Sequence, residues 1–225
     1  MTTFFSVAMA ELPALTLAGI CLDVQIRICM YLHPSDILAL RKVCRHYKFS
    51  LIKSVTVKYI IKTCRAFHRS TRQRVVWVAA LHRVCLDNTL FLPSFPISDM
   101  SDLEIEKAAM GPRRWIKLCI AFEKQHLNDP DAILCPRSTR IINDAFATDS
   151  EVNYDDIQIF IVPGGRYLVS DLPADISVLD LGYTSSSDCM LVASVEVDGK
   201  YGGYNHFQVQ ATPDGMGLTI FSCNK

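Results

Sequence analysis

The chain has 225 residues, half of them hydrophobic: room for one large domain or two small ones, and too apolar for a disordered protein. The 23 Lys+Arg and 23 Asp+Glu cancel only in the total. Residues 1–150 hold 20 basic and 13 acidic side chains and residues 151–225 hold 3 and 10, a segregation that predicts two modules with different surfaces.

Nine cysteines, an odd number with no C-x-x-C pair, exclude a disulfide framework and a four-cysteine zinc site. Most lie in apolar stretches, where reduced cysteine acts as a small hydrophobe, and this favours a cytoplasmic or nuclear location. Met1 to Leu22 is largely apolar but carries Glu11 at its middle and no Lys or Arg ahead of it. The expectation is therefore neither a signal peptide nor a membrane span.

In chain order, the apolar spacing of Leu22, Ile26, Cys29, Met30 and Leu32 predicts a helix, with Asp23 as its N-cap. His33-Pro34-Ser35-Asp36 interrupts it. Pro34 suits the first turn of a second helix, Asp36 complements the dipole there, and Ile37, Leu38, Leu40 and Val43 continue an apolar face. Val75 to Leu86 is a third amphipathic helix with Trp77, Leu81 and Val84 on one side.

Leu92-Pro93-Ser94-Phe95-Pro96 is expected to be extended. Ser101-Asp102-Leu103-Glu104 is a capping box, and Gly111-Pro112 ends the helix that it starts. Arg113 to Gln125 predicts a further helix with Trp115, Leu118, Cys119 and Phe122 inward.

From Tyr154 the helical period gives way to short strands. These are Ile157–Val162, Arg166–Ser170, Ile176–Leu181, Met190–Val197, Phe207–Ala211 and Leu218–Ser222, punctuated by Pro163-Gly164-Gly165, Gly182, Asp198-Gly199 and Pro213-Asp214-Gly215. The fold class is α+β: a helical region over 20–90, a helical connector over 91–135 and an antiparallel β region over 154–225.

The run Leu22-Asp23-Val24…Ile26…Cys29-Met30-Tyr31-Leu32-His33-Pro34…Asp36-Ile37-Leu38…Leu40…Val43-Cys44 resembles an F-box. With Phe91-Leu92-Pro93-Ser94-Phe95-Pro96 and Ala109-Met110-Gly111-Pro112-Arg113-Arg114-Trp115, residues 20–225 resemble fungal (mushroom-type) F-box proteins. In that family the F-box precedes a propeller-like β region. The family's Leu-Pro opener falls here on Ile20-Cys21.

The resemblance implies a substrate adaptor of an SCF-type ubiquitin ligase. It would dock on the Skp-family linker subunit through Leu22, Ile26, Leu32, Pro34, Ile37 and Leu40, divided between partner contact and internal core. An unknown protein substrate would be presented by the C-terminal region. It implies no enzyme chemistry in this chain, no cofactor and no metal.

Lys42-Val43-Cys44-Arg45 and Lys62-Thr63-Cys64-Arg65 both fit one family site. The segment between them includes the alternating, β-branched run Lys53 to Ile61, a poor fit within a three-helix module. Residues 43–62 thus read as an insertion, either a retained intron of 20 codons or a genuine insertion or local repeat. A propeller ring of four blades needs roughly 160 residues. Only 72 run from Tyr154 to Lys225, so the expected β part is an incomplete propeller, a small open sheet packed on the helices.

Other chemistries have weaker signals. Arg41 to Arg83 holds twelve Lys/Arg and no Asp/Glu, and it supports the alternative of a basic, nucleic-acid-associated helical protein with a β tail. Those charges are mostly spread singly and the aromatics do not interleave as stacking platforms, so a solvated helix face, or complementarity to an acidic partner, is preferred. Cys64…His68…His82…Cys85 matches no common zinc-finger spacing. Pro163-Gly164-Gly165-Arg166 lacks the phosphate-loop spacing and reads as a hairpin turn. No nucleophile-elbow serine or H-E-x-x-H is present, and His206 stands alone.

Overall fold

The computed structural model describes residues 20–46, 66–128, 158–171, 175–184, 188–196 and 206–223. Most of the suspected insertion and the Asp198-Gly199 turn lie outside them. The chain divides into two compact units, Met1–Ala79 and Ala80–Lys225. Helices in the N-terminal part and small antiparallel sheets in the C-terminal part make it an α+β protein.

The first unit contains α1 (Leu22–Met30), α2 (Pro34–His46), residues 66–70 of α3 and the start of α4 (Arg74–Asp87). Helix α1 starts two residues earlier than an Asp23 cap requires. Cys21, extended at φ −63° and ψ 155°, takes the N-cap position, and Asp23 instead lies in the first turn, where its charge suits the positive end of the dipole.

Pro34 opens α2 as expected, since a first-turn residue has no intrahelical use for an N–H. The Ser35 N–H there lies 3.3 Å from Nδ1 of His33, which accepts it. In α4, Val76 and Trp77 in the first unit and Ala80, Leu81, Val84 and Cys85 in the second are all buried, which matches the predicted face.

The second unit continues with a 3-10 turn at Leu92–Ser94, α5 (Asp102–Ala109) and α6 (Gly111–Asn128). The 3-10 turn corrects the expectation of an extended segment. Only the flanking Phe91 and Phe95 are extended, while Pro93, with φ already fixed, fits the turn between them. At α5 the capping box is complete: the Glu104 N–H bonds to Ser101 Oγ at 3.4 Å, and the Ser101 N–H bonds to Glu104 Oε2 at 2.7 Å.

Strands β1 (Gln158–Ile161), β2 (Tyr167–Asp171), β3 (Asp175–Asp180) and β4 (Met190–Glu196) form an antiparallel meander in chain order. β5 (His206–Ala211) and β6 (Leu218–Cys223) pair separately as a hairpin. The register aligns Phe160, Val169 and Val178 in one row across three strands. That face and the hairpin share a core built on buried Phe91, Val162, Val169 and Val209, with Phe160, Ile176, Val178, Leu218 and Ile220 packed around it.

Phe91 fastens this core to the connector. Its ring meets Tyr167 edge-on at 5.4 Å, and its N–H bonds to the Pro163 carbonyl at 2.9 Å. The next N–H, of Leu92, bonds to the Gly215 carbonyl at 2.9 Å, so two adjacent residues hold the β1–β2 turn and the β5–β6 turn.

Helix α6 departs from the sequence reading. Trp115 and Leu118, expected inward, are 60% and 46% exposed, whereas Cys119 and Phe122 are half-buried. Periodicity marks an apolar stripe but does not supply a surface to cover it.

Candidate protein-docking surface

The first unit is fixed by buried polar contacts. Gln25 donates from Nε2 to the Ile20 carbonyl at 2.9 Å and accepts from the Ser70 hydroxyl at 3.0 Å, tying α1 to α3. The Thr71 carbonyl receives both Arg41 Nη2 at 2.6 Å and Trp77 Nε1 at 2.8 Å. The Arg41 guanidinium also lies 5.3 Å from the centre of the Trp77 ring, a cation–π contact that a lysine would make less well.

Within this frame the six residues named from sequence separate. Pro34 and Ile37 are fully buried. Ile26, Leu32 and Leu40 are half-buried, and Leu22, at the start of α1, is exposed. The buried side of α1 is completed by Gln25 and by Cys29, whose thiol burial pushes above its usual pKa.

The outward side carries Val24, Ile28 and Tyr31, with Tyr31 73% exposed. They recur at i, i+4 and i+7, so they form one strip along the helix. Sequence reasoning named Leu22 and overlooked this strip, although its spacing is a second helical period within the same run. α1 is therefore apolar on two sides: one packs internally, and the other offers a narrow, aromatic-tipped strip suited to another protein.

An open depression of about 230 Å³ lined by Leu86, Leu90, Gln210, Thr212 and Phe221 is below the ~300–1,000 Å³ of ordinary ligand pockets. Cys85 beside it is held as a thiol, its pKa pushed up to about 12 by burial.

Pro163-Gly164-Gly165-Arg166 forms the β1–β2 turn, with Arg166 aimed at Asp180 through bonds of 2.8 and 2.6 Å. Among the described residues no three His, Cys, Asp or Glu side chains gather as metal ligands, and Cys64 of the weighed zinc set lies outside them. No described helix is long and apolar enough to cross a membrane. No protein-family model, curated protein or solved structure matches the chain.

Proposed function

We propose that the chain is an F-box-type substrate adaptor that docks through α1 and α2 on the Skp-family linker subunit of an SCF-type ubiquitin ligase. The carrying observation is the outward strip Val24–Ile28–Tyr31 on a helix whose opposite side is already packed. Leu22, exposed at the start of α1, lies about 160° round the helix from Val24 and so stands outside that strip, and Pro34 and Ile37 belong to the packed interior. Such an adaptor needs no chemistry of its own, because its contribution is proximity.

The C-terminal part fits a substrate-presenting role as the start of a propeller. β1–β4 have the four-stranded meander of a blade, and the β5–β6 hairpin lies face to face with it as the next blade's first strands would. The nucleic-acid alternative gains little support, since Arg41 is engaged internally with Thr71 and Trp77.

Co-purification of the full chain with a Skp-family subunit tests the reading. Ile28→Asp and Tyr31→Ala should abolish or strongly weaken capture while the chain stays folded. Undiminished capture by both variants, or no capture by the wild type, rejects the assignment, and salt-sensitive retention on DNA in its place would favour the basic alternative.

A further inference from the structure

Helix α6 carries a second, separate surface. Over its 18 residues it holds Arg113, Arg114, Lys117 and Lys124 against Glu123 alone. Trp115, Leu118, Cys119 and Phe122 recur at i, i+3, i+4 and i+7, the anchor spacing of a helix received by a groove. Trp115 and Leu118 are exposed, as are Ile116 and Ile120 along the helix flank.

At about 100° per residue, the apolar residues from Leu118 round to Ile120 sweep roughly 200° of the circumference. Arg113, Lys117 and Lys124 fall about 160–200° from Trp115, on the opposite arc. This arrangement distinguishes between occupants. A flat anionic membrane laid against Trp115 would leave those three cations pointing away from its headgroups, whereas a groove that closes around the helix meets both arcs. The occupant must therefore be concave, apolar at its floor and acidic at its rim.

We propose that α6 is a recognition helix for an acidic, groove-forming protein of the calcium-loaded EF-hand type, whose methionine-lined groove opens on binding calcium. Trp115 is the central anchor, Leu118 and Phe122 seat beside it, and the cations pair with the acidic rim. The proposal is independent of the adaptor reading, which uses α1 and α2.

Trp115 is also the reporter. The chain has two tryptophans, and Trp77 is 1% exposed. Calcium-loaded calmodulin serves as the probe, titrated into the full chain while tryptophan emission is followed. The expected result is a blue shift that saturates at equimolar probe and reverses on chelation of calcium.

Trp115→Ala, read by calorimetry, and the combined Arg113→Glu, Arg114→Glu and Lys117→Glu variant should each weaken binding roughly tenfold or more. All replaced side chains are exposed, and unchanged unfolding curves verify that the variants fold. The absence of a calcium-dependent shift, or binding that both variants leave unchanged, overturns the proposal. A shift with equimolar phosphatidylserine–phosphatidylcholine vesicles but not with calmodulin also overturns it, in favour of a membrane surface.

Discussion

The Ser70 hydroxyl donates to Oε1 of Gln25 at 3.0 Å, joining two buried side chains 45 positions apart in the chain. With Nε2 of Gln25 on the Ile20 carbonyl, both ends of a buried amide are satisfied, and α1 is held by a contact with strict geometry. Ser70→Ala leaves Oε1 without this donor. It should cost about 1–3 kcal/mol of unfolding free energy, because a stranded buried acceptor keeps its full desolvation penalty. A Gln25→Leu, Ser70→Ala double variant should recover part of that loss in urea denaturation. Two strictly additive losses would show that the contact is not coupled.

Ile37 and Tyr31 make opposite predictions about one surface. Ile37 has no exposed area, so Ile37→Ala should cost ~2–5 kcal/mol through lost burial and a cavity. Tyr31 is almost entirely outside, and Tyr31→Ala should move stability by no more than about 0.5 kcal/mol. Failure of Ile37→Asp to capture a linker subunit would therefore report unfolding, whereas failure of Tyr31→Ala would report the interface. Circular dichroism melts run beside the capture assay separate the two.

The elements were legible in the sequence where one local signal had one structural meaning. Ser101 with Glu104 could only be a capping box, Pro34 suited a first turn, and alternation placed every described strand within a residue or two. Legibility failed where meaning depended on something distant. Trp115 and Leu118 lie on an apolar stripe like any core stripe, and only the folded chain leaves that stripe uncovered. Val24 and Ile28 were overshadowed by the internal period of α1. Gln25, a polar residue at a core position, has its partner in α3, and no local pattern announces that.

Gly164 and Gly165 are adjacent in one turn and should respond differently to alanine. Both have positive φ, 119° and 79°. A Cβ on Gly165 would meet nothing within 4 Å, so Gly165→Ala should cost only the backbone term of about 1–2 kcal/mol. A Cβ on Gly164 would fall 2.5 Å from both Cβ and Oγ of Ser94. Ser94 is buried in the 3-10 turn beside Phe91, so that turn must move. Gly164→Ala should cost clearly more, and it should also weaken the docking of Phe91 that closes the β core. Urea denaturation of the two variants checks the order; equal losses would mean that Ser94 yields freely.

Asp180 should make the second unit's stability fall in acid. Its carboxyl is held below the usual range first by the hydrogen bonds from Arg166, at 2.8 and 2.6 Å, with the Gly182 N–H at 2.7 Å adding to them. The pair spans the β1–β2 turn and the end of β3, and Arg166 also donates to the Pro93 carbonyl at 3.4 Å, so the connector shares in it. A group whose folded pKa lies below its unfolded value stabilises only while it is ionised in the folded state. The contribution is therefore complete well above the unfolded aspartate value of about 3.9 and disappears as pH falls through the lower folded value. Asp180→Asn should cost about 1–2 kcal/mol at pH 6, a moderate figure because both side chains keep some solvent contact. The gap between wild type and variant should then narrow steadily as pH falls below about 5, since acid protonates the wild-type carboxylate and leaves the variant's neutral amide unchanged. Chemical denaturation across that range measures the gap directly. A gap that stays constant would mean that the turn draws its stability from backbone geometry and not from this ion pair.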